Sequence, residues 1–228
     1  MALLTASPHL KLVAIRATRL NADCTYALGA NNVVITAAAV RMAITTDIEA
    51  GDEITARNGD GVQCLSIRDP DSLKRLNIEM ELCVRDPELV ELLTGSPLVL
   101  DAAGDTVGGV RQSGTIDHPG AFVEIWTRAG SSTGSCVAGT ASNFLRYTYP
   151  KMSLIQGDNT FENGLNNMTL TGTAEANPNA LDGPFSDYVG VGNIPAEAVE
   201  VWGIDAAGPP ATANGYSATP TPPAANTP

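Results

Sequence analysis

The stretch LNIEMELCV, residues 76–84, decides the fold class, because apolar and polar residues alternate along its length. A period of two puts the apolar side chains on one face of a β-strand and the acidic ones on the other. Five further segments alternate or are rich in β-forming residues: 13–18, 40–45, 122–128, 144–149 and 168–173. Together they predict a mainly β, antiparallel domain, built as a β-sandwich or partial barrel.

Two shorter segments predict the elements that lie between these strands. NGDG, residues 58–61, supplies residues that tolerate positive φ, so we expect a tight hairpin over residues 54–67. DPELVELLTG, residues 86–95, carries an Asp N-cap, a Pro at the first helical position and a closing Gly. These signals predict one short, packed α-helix of about two turns.

Length and composition bound the class of protein. The 228 residues are 43% apolar, which is enough for the core of one domain. A formal net charge of -12 argues against a protein that binds nucleic acid through its phosphates. No sustained apolar run predicts a membrane span, and the N-terminal MALLTASPHLK lacks the features of a secretory signal. We therefore expect a protein that folds in a cytoplasm.

The last 23 residues differ from the rest of the chain. Residues 206–228 are uncharged, and 17 of them are Pro, Ala or Thr. Such a segment has too little apolar bulk to repay the entropy of ordering. We therefore divide the chain into a β domain over residues 1–205, with an N-terminal arm over residues 1–10, and a flexible tail over residues 206–228.

The sequence gives little support to catalysis. GSSTG, residues 130–134, matches a nucleophile elbow around Ser132, but His9 and His118 both precede it, whereas that fold needs its His afterwards. Neither His has a Cys or a second His nearby for zinc, and the acidic segments 101–105 and 158–162 lack the ligand spacing of a calcium loop. We expect no enzyme, no metal and no cofactor.

The cysteines and the paired carboxylates also have ordinary explanations. Cys24, Cys64, Cys83 and Cys136 form no CxxC pair and are expected to be free thiols, with a bridge from Cys64 to Cys83 left open. Carboxylates in neighbouring strand positions could act as acid and base of a glycosidase, but they are typical of a solvated face: Glu79 with Glu81, and Asp52 with Glu53.

Five segments, taken in order along the chain, resemble a known family. They are DPELVELLTG (residues 86–95), AFVEIWTR (121–128), FLRYTYPKMSLIQGDNTFENG (144–164), MTLTGTAEANPN (168–179) and LDGPFSDY (181–188). In this order they resemble the major tail tube proteins of long noncontractile-tailed, siphovirus-type bacteriophages, especially those of actinobacterial hosts. The resemblance covers residues 33–205 and lies in five short phrases in register, since no single motif is diagnostic.

The resemblance implies a structural virion protein, located in the virion tail and assembled in the host cytoplasm. In that family, subunits form hexameric rings that stack into the tail tube, and each subunit gives strands to an inner β-barrel shared within the ring. The implied partners are copies of the same chain together with tape-measure, tail-tip and terminator proteins. DNA passes through the lumen without specific binding, and no membrane takes part.

Two groups of residues are candidates for these roles. The polar rows of the two alternating strands would line the channel, where negative charge repels DNA: Arg41, Thr45, Asn77, Glu79 and Glu81. The apolar rows would then lie under the helix: Val40, Met42 and Ile44 with Ile78, Met80 and Leu82. A long loop over residues 46–73 would contact the neighbouring ring through its charges: Asp47, Glu49, Asp52, Glu53, Arg57, Asp60 and Arg68.

Other interpretations of the sequence stay open. Another virion component, such as a tail terminator or a head decoration protein, would share these properties and differ in the particle it forms. A carbohydrate-binding β-sandwich module would also be acidic and β-rich with a Pro/Thr-rich end, although the 5% of aromatic residues is thin material for sugar stacking. An esterase would require Ser132 as its nucleophile.

Overall fold

The computed structural model describes residues 9–27, 29, 31–103, 107–112, 120–129, 144–157, 167–180, 183–184, 194–205, 208–212 and 215–217. Within these residues the chain forms twelve β-strands and one α-helix. They are β1 (His9–Arg19), β2 (Val33–Thr36), β3 (Ala39–Glu49), β4 (Glu53–Arg57), β5 (Gln63–Arg68), β6 (Ser72–Leu82), α1 (Pro87–Thr94), β7 (Leu98–Leu100), β8 (Val107–Val110), β9 (Ala121–Ala129), β10 (Phe144–Gln156), β11 (Met168–Glu175) and β12 (Val201–Asp205). The prediction of a mainly β, antiparallel fold with one short helix is confirmed.

Eight strands form one antiparallel sheet in the order β2-β1-β9-β10-β11-β6-β3, with β12 also paired to β10. The long strand β10 has β9 on one side, and on the other side it pairs first with β12 and then with β11. Pro150 lies where this partner changes, a position at which its missing N–H leaves no gap in a ladder. Among the described residues the sheet is not closed into a barrel, because β2 and β3 remain its two ends.

The core lies between one face of this sheet and α1. The alternating row of β6 is buried there, as predicted, through Ile78, Met80 and Leu82. The helix contributes its own apolar stripe to the same cluster: Leu89, Val90, Leu92 and Leu93. Burying an aliphatic side chain of this size contributes about 1.5–3 kcal/mol, so this contact holds the helix to the sheet.

The helix begins and ends where the sequence predicts. The Asp86 carboxylate caps it by accepting hydrogen bonds from the backbone N–H groups of Glu88 and Leu89. At the other end Gly95 takes the left-handed conformation, with φ of 69°, and donates its N–H to the Glu91 carbonyl. Without a Cβ this conformation costs little, and the chain can turn away.

The expected burial of the β3 row is wrong at two of its three positions. Met42 lies opposite Met80 and packs against the core, but Val40 is 52% exposed and Ile44 is 42% exposed. Val40 occupies a register shift between Ala39 and Arg41, so it leaves the simple alternation. Ile44 belongs to β3, which within the described part of the chain forms its ladder with β6 alone.

The segment expected as a long loop over residues 46–73 is built mostly of strands. β3 and β6 run into it as far as Glu49 and Ser72, and β4 and β5 then form a separate two-stranded hairpin. The predicted hairpin is therefore confirmed, and it is the tip of a β-ribbon. We call the β4–β5 hairpin, residues 53–68, the arm.

A second buried region lies across β1, β9, β10 and β12, and it contains charges. Glu124 Oε2 accepts from Arg16 Nε at 2.5 Å, and Glu124 Oε1 lies 3.5 Å from Arg146 Nη1. Asp205 Oδ2 accepts from the Trp126 indole N–H at 2.8 Å and lies 3.6 Å from Arg146 Nη1. Each of the five residues is buried. We call them the buried charge cluster.

Part of the predicted flexible tail is held against the domain. The isolated bridge between Val34 and Tyr216 sets residues 215–217 beside β2. We call residues 215–217 the strap. Residues 1–8 of the expected N-terminal arm lie outside the described residues, and so do residues 218–228 of the tail.

Candidate functional site

The candidate residues lie on two surfaces of the protein. The first is the face of β3 and β6 that points away from the core. Arg41, Glu81, Glu79, Thr45 and Asn77 all lie on it, because β3 and β6 pair Arg41 with Glu81, Ala43 with Glu79 and Thr45 with Asn77. We call this surface the polar face.

Arg41 forms ion pairs with both glutamates of the polar face. Its Nη1 donates to Glu79 Oε1 at 2.9 Å and to Glu81 Oε1 at 2.8 Å. Hydrogen bonds to Glu81 and Glu79 raise the pKa of the Arg41 guanidinium above its usual value. Two carboxylates against one guanidinium leave this group of three residues with a net negative charge.

The polar face continues onto the next strand with small, uncharged residues. β11 pairs with β6 so that Thr169 lies opposite Glu81, Thr171 opposite Glu79 and Thr173 opposite Asn77. Threonine hydroxyls next to carboxylates give a hydrated surface without long side chains projecting from it. These threonines were not among the predicted residues, although their alternation with Met168 and Leu170 is the signal that places them on this face.

The second surface is the arm, and its two faces differ in polarity. One face carries Ile54 opposite Ile67 and Ala56 opposite Leu65. The other face pairs Glu53 with Arg68 and Thr55 with Ser66. Ile54 is 62% exposed, Ile67 53% and Leu65 44%, so an amphipathic ribbon lies open to solvent on its apolar side.

The tip of the arm has a fixed shape. Asn58 Oδ1 accepts from the backbone N–H groups of Asp60 at 3.1 Å and Val62 at 2.9 Å, and its carbonyl accepts from Gly61 N–H at 2.9 Å. These bonds hold the turn that joins β4 and β5. Arg57 also donates to the Gly61 carbonyl, at 3.2 Å. The turn therefore joins β4 and β5 in the register that puts Ile54 and Ile67 on one face of the arm.

The charged candidates lie along the same ribbon as the arm. Asp47 accepts from Arg75 at 2.9 Å, and Arg68 donates to Asp71 at 2.7 Å. The remaining acidic candidates are exposed: Glu49, Asp52, Glu53 and Asp60. The ribbon therefore combines exposed charged side chains with the exposed apolar side chains of the arm.

Several chemical hypotheses can be compared with the described residues. These residues contain no group of three or more His, Cys, Asp or Glu side chains arranged to hold a metal ion. Cys24, Cys64 and Cys83 are free thiols, so the open alternative of a bridge from Cys64 to Cys83 is wrong. Ser132, His118, Cys136 and residues 158–162 lie outside the described residues. No helix in the described part of the chain has the length and hydropathy to cross a membrane.

The buried charge cluster was not predicted, although the sequence contains one signal for it. In AFVEIWTR, residues 121–128, Glu124 shares its strand face with Phe122 and Trp126. A charge between two large aromatic residues on one face indicates burial with a partner. The partner itself could not be predicted, because Arg16 lies 108 residues away in the sequence.

The fold defines an open antiparallel sheet with one packed helix, a polar outer face and an amphipathic arm. No protein-family model matches this sequence, and a search of curated proteins finds none with significant similarity. The functional assignment therefore depends on these surfaces and on the resemblance of the five segments.

Proposed function

We propose that this protein is a structural subunit of a bacteriophage tail tube, in which copies form hexameric rings that stack into a conduit for DNA. One observation carries the proposal: the arm presents an apolar face that no described residue of the subunit covers. The proposed location is the virion tail, with assembly in the host cytoplasm. Tape-measure, tail-tip and terminator proteins are the further partners that such a tube requires.

The arm supports this proposal because its structure is suited to contact with another copy. Covering Ile54 and Ile67 would contribute on the order of 1 kcal/mol each, since both are more than half exposed. A single arm would bind weakly, but a ring presents six arms at once and their contributions combine. The charges around the apolar face would set the register between rings more than the strength of the contact.

The terminal strand β3 supports association within a ring. β3 pairs with β6 on one side and is the last strand of the sheet on the other. An open strand edge is a template for pairing with another chain. Strands joined around a ring would form the shared barrel, and the polar face would then become its wall.

Electron microscopy of the purified protein tests the proposal directly. We expect rings or tubes from the original chain, and we expect the Ile54→Ser, Ile67→Ser double variant to lose stacking. The matched control, Thr55→Asn with Ser66→Asn, changes the polar side of the same hairpin and should assemble normally. A chain that stays monomeric at every concentration and forms no tubes in infected cells would contradict the proposal.

The same experiment separates the alternatives. Single rings that bind only to the end of a tube would identify a tail terminator, and binding to capsids would identify a head decoration protein. Monomers that a glycan column retains would identify a carbohydrate-binding module. Each of these outcomes would replace the tail tube proposal.

A second experiment tests the position of the polar face in the tube. Reversing its negative charge with Glu79→Lys and Glu81→Lys would make the lumen attract DNA phosphates. We expect intact tails with slowed or stalled ejection of the genome. Glu197→Lys, an exposed reversal on the turn before β12, is the control and should eject normally. Normal ejection from the double variant would mean that the polar face lies elsewhere.

A further inference from the structure

β3 and β2, at the two ends of the strand order, differ in whether another segment of the chain lies along them. At one end β3 is the terminal strand, with several exposed residues along it. At the other end the strap lies along β2: Tyr216 pairs with Val34 in an antiparallel bridge, and Ser217 N–H donates to the Val33 carbonyl at 2.7 Å. The strap therefore occupies backbone positions on β2 that another strand would need.

Three polar contacts attach the strap to elements other than β2. Gly215 N–H donates to Asp86 Oδ2 at 2.9 Å, while the other oxygen of that carboxylate caps α1. The Tyr216 hydroxyl donates to Glu91 on α1, and it accepts from Arg19 Nη2 at 3.0 Å. Its ring also packs against the hydrophobic core. These contacts are specific to this segment, so its position does not depend on the β-bridge alone.

The sequence of the strap fits this position. Gly215 has φ of 78°, a conformation that favours glycine, and a Cβ there would lie 3.3 Å from the carboxyl group of Glu88. Tyr216 is the single aromatic residue among residues 206–228. The Asn-Gly pair and the single Tyr thus set this segment apart from the Pro-, Ala- and Thr-rich sequence around it. They are the local sequence signal for its docking, which the overall composition of the tail does not show.

Prolines flank the strap on both sides and limit the length of strand that it can form. Pro209 and Pro210 precede it, and Pro220, Pro222 and Pro223 follow it. Proline has no N–H to donate to a β-ladder, so these residues prevent the strap from growing into a long strand with a new open edge. A short segment between prolines can cover an edge without offering another one.

We propose that the strap is an intramolecular edge guard, which occupies β2 and prevents a strand of a second copy from pairing there. With β2 covered, a second copy cannot pair along that edge, so free subunits do not join through both the β2 end and the β3 end of their sheets. This inference concerns the free subunit, and it holds whether or not the protein forms a tube.

Two truncations of the chain test the guard. A chain that ends at Thr212 lacks the strap, whereas a chain that ends at Ser217 keeps it and loses only the residues that follow. Sedimentation velocity over a range of concentrations measures self-association of each folded chain. We expect the chain ending at Thr212 to associate at concentrations about tenfold lower than the full chain, and the chain ending at Ser217 to behave as the full chain does. Equal behaviour of both truncations would overturn the proposal.

A point variant and a peptide exclude simple misfolding. Gly215→Val keeps the full length but disfavours the docked conformation, so it should associate as the shorter truncation does. The free peptide ANGYSAT, residues 213–219, should reverse the association of the truncated chain, while the same peptide with Tyr216→Ala should not. The proposal is wrong if the peptide does not reverse the association of the truncated chain. It is also wrong if association comes with loss of the cooperative thermal transition, because the strap would then contribute stability and not guard an edge.

Discussion

The buried charge cluster has charged side chains in the interior, whereas the arm has apolar side chains on the surface. In the cluster, four charged side chains and one Trp are all buried. In the arm, Ile54, Leu65 and Ile67 are exposed to solvent on one face of a hairpin. Both arrangements cost free energy when they are left uncompensated, by desolvation of charge in one case and by exposure of apolar surface in the other.

The difference between them lies in where the compensation is found. Every charge of the cluster has an opposite charge close to it in the same chain. Both guanidinium groups also lie over the ring of Trp126, whose centroid is 5.2 Å from Arg16 Cζ and 5.8 Å from Arg146 Cζ. The apolar face of the arm has no such cover among the described residues. The cluster is thus compensated within one chain, whereas the exposed apolar face of the arm is the observation from which we propose contact with a second copy.

The largest effect is expected from breaking the cluster. Glu124→Gln removes the carboxylate that lies beside both Arg16 and Arg146, and the two guanidinium groups would remain buried close to each other. Removing one partner of a buried ion pair costs about 3–5 kcal/mol, and we expect that loss in the free energy of unfolding measured by chemical denaturation. Glu79→Gln, at an exposed ion pair with Arg41, is the control and should lose less than about 1 kcal/mol. Similar losses for the two variants would contradict the comparison.

A smaller effect is expected from Trp126→Phe. The change removes the indole N–H that donates to Asp205, and it leaves part of the space of the larger ring empty. We expect a loss of about 1–3 kcal/mol in the free energy of unfolding. Trp202→Phe on β12 is the matched control, because Trp202 is 56% exposed and should change stability by less than about 0.5 kcal/mol. A loss at Trp202 as large as at Trp126 would indicate that burial does not separate the two sites.

Local patterns in the sequence predicted those parts of the fold that depend on neighbouring residues. The alternation of Ile78, Met80 and Leu82 gave a strand with one buried face, and the Asp86 and Gly95 signals gave both ends of α1. The Asn58 turn likewise predicted the arm as a hairpin. Each of these features is determined within about ten residues, the range over which periodicity and capping act.

Features that depend on distant partners could not be predicted in this way. A charge within a strand ordinarily indicates a solvated face, and only the fold brings Arg16 to Glu124. The exposure of Val40 follows from a register shift against β6, which no pattern within β3 reveals. The docking of Tyr216 depends on Glu91, Arg19 and Val34, which belong to three different elements.

A smaller, pH-dependent effect is expected at Glu200, which is half-buried and so lies between the two extremes of the comparison. Burial raises the pKa of Glu200, although the Tyr149 hydroxyl, which donates to Oε1 at 3.2 Å, acts in the opposite direction. The folded state therefore retains this proton at a pH where the unfolded state has lost it, and stability falls as the pH rises through that window.

Glu200→Gln removes the titration while keeping an oxygen that accepts from Tyr149. Relative to the original chain, the variant should gain stability as the pH rises above the ordinary range of a glutamate, measured by denaturation at each pH. Glu197→Gln, on the exposed turn nearby, is the control and should follow the original chain across the range. A pH profile of Glu200→Gln that matches the original would mean that Glu200 does not contribute to this dependence.

The smallest effect on stability is expected from Ile54→Ser with Ile67→Ser, the same change that should abolish stacking. The variant loses one cross-strand apolar pair, worth about 0.2–1 kcal/mol, but it also removes apolar surface from water, so the free energy of unfolding should change by less than about 0.5 kcal/mol. Denaturation of the dissociated subunit measures this change, and Ile78→Ser is the control, because Ile78 is only 3% exposed and its loss should cost several times more. If the double variant lost as much stability as Ile78→Ser, the apolar face of the arm would be part of the subunit's own core. Its exposure would then give no reason to expect a second copy.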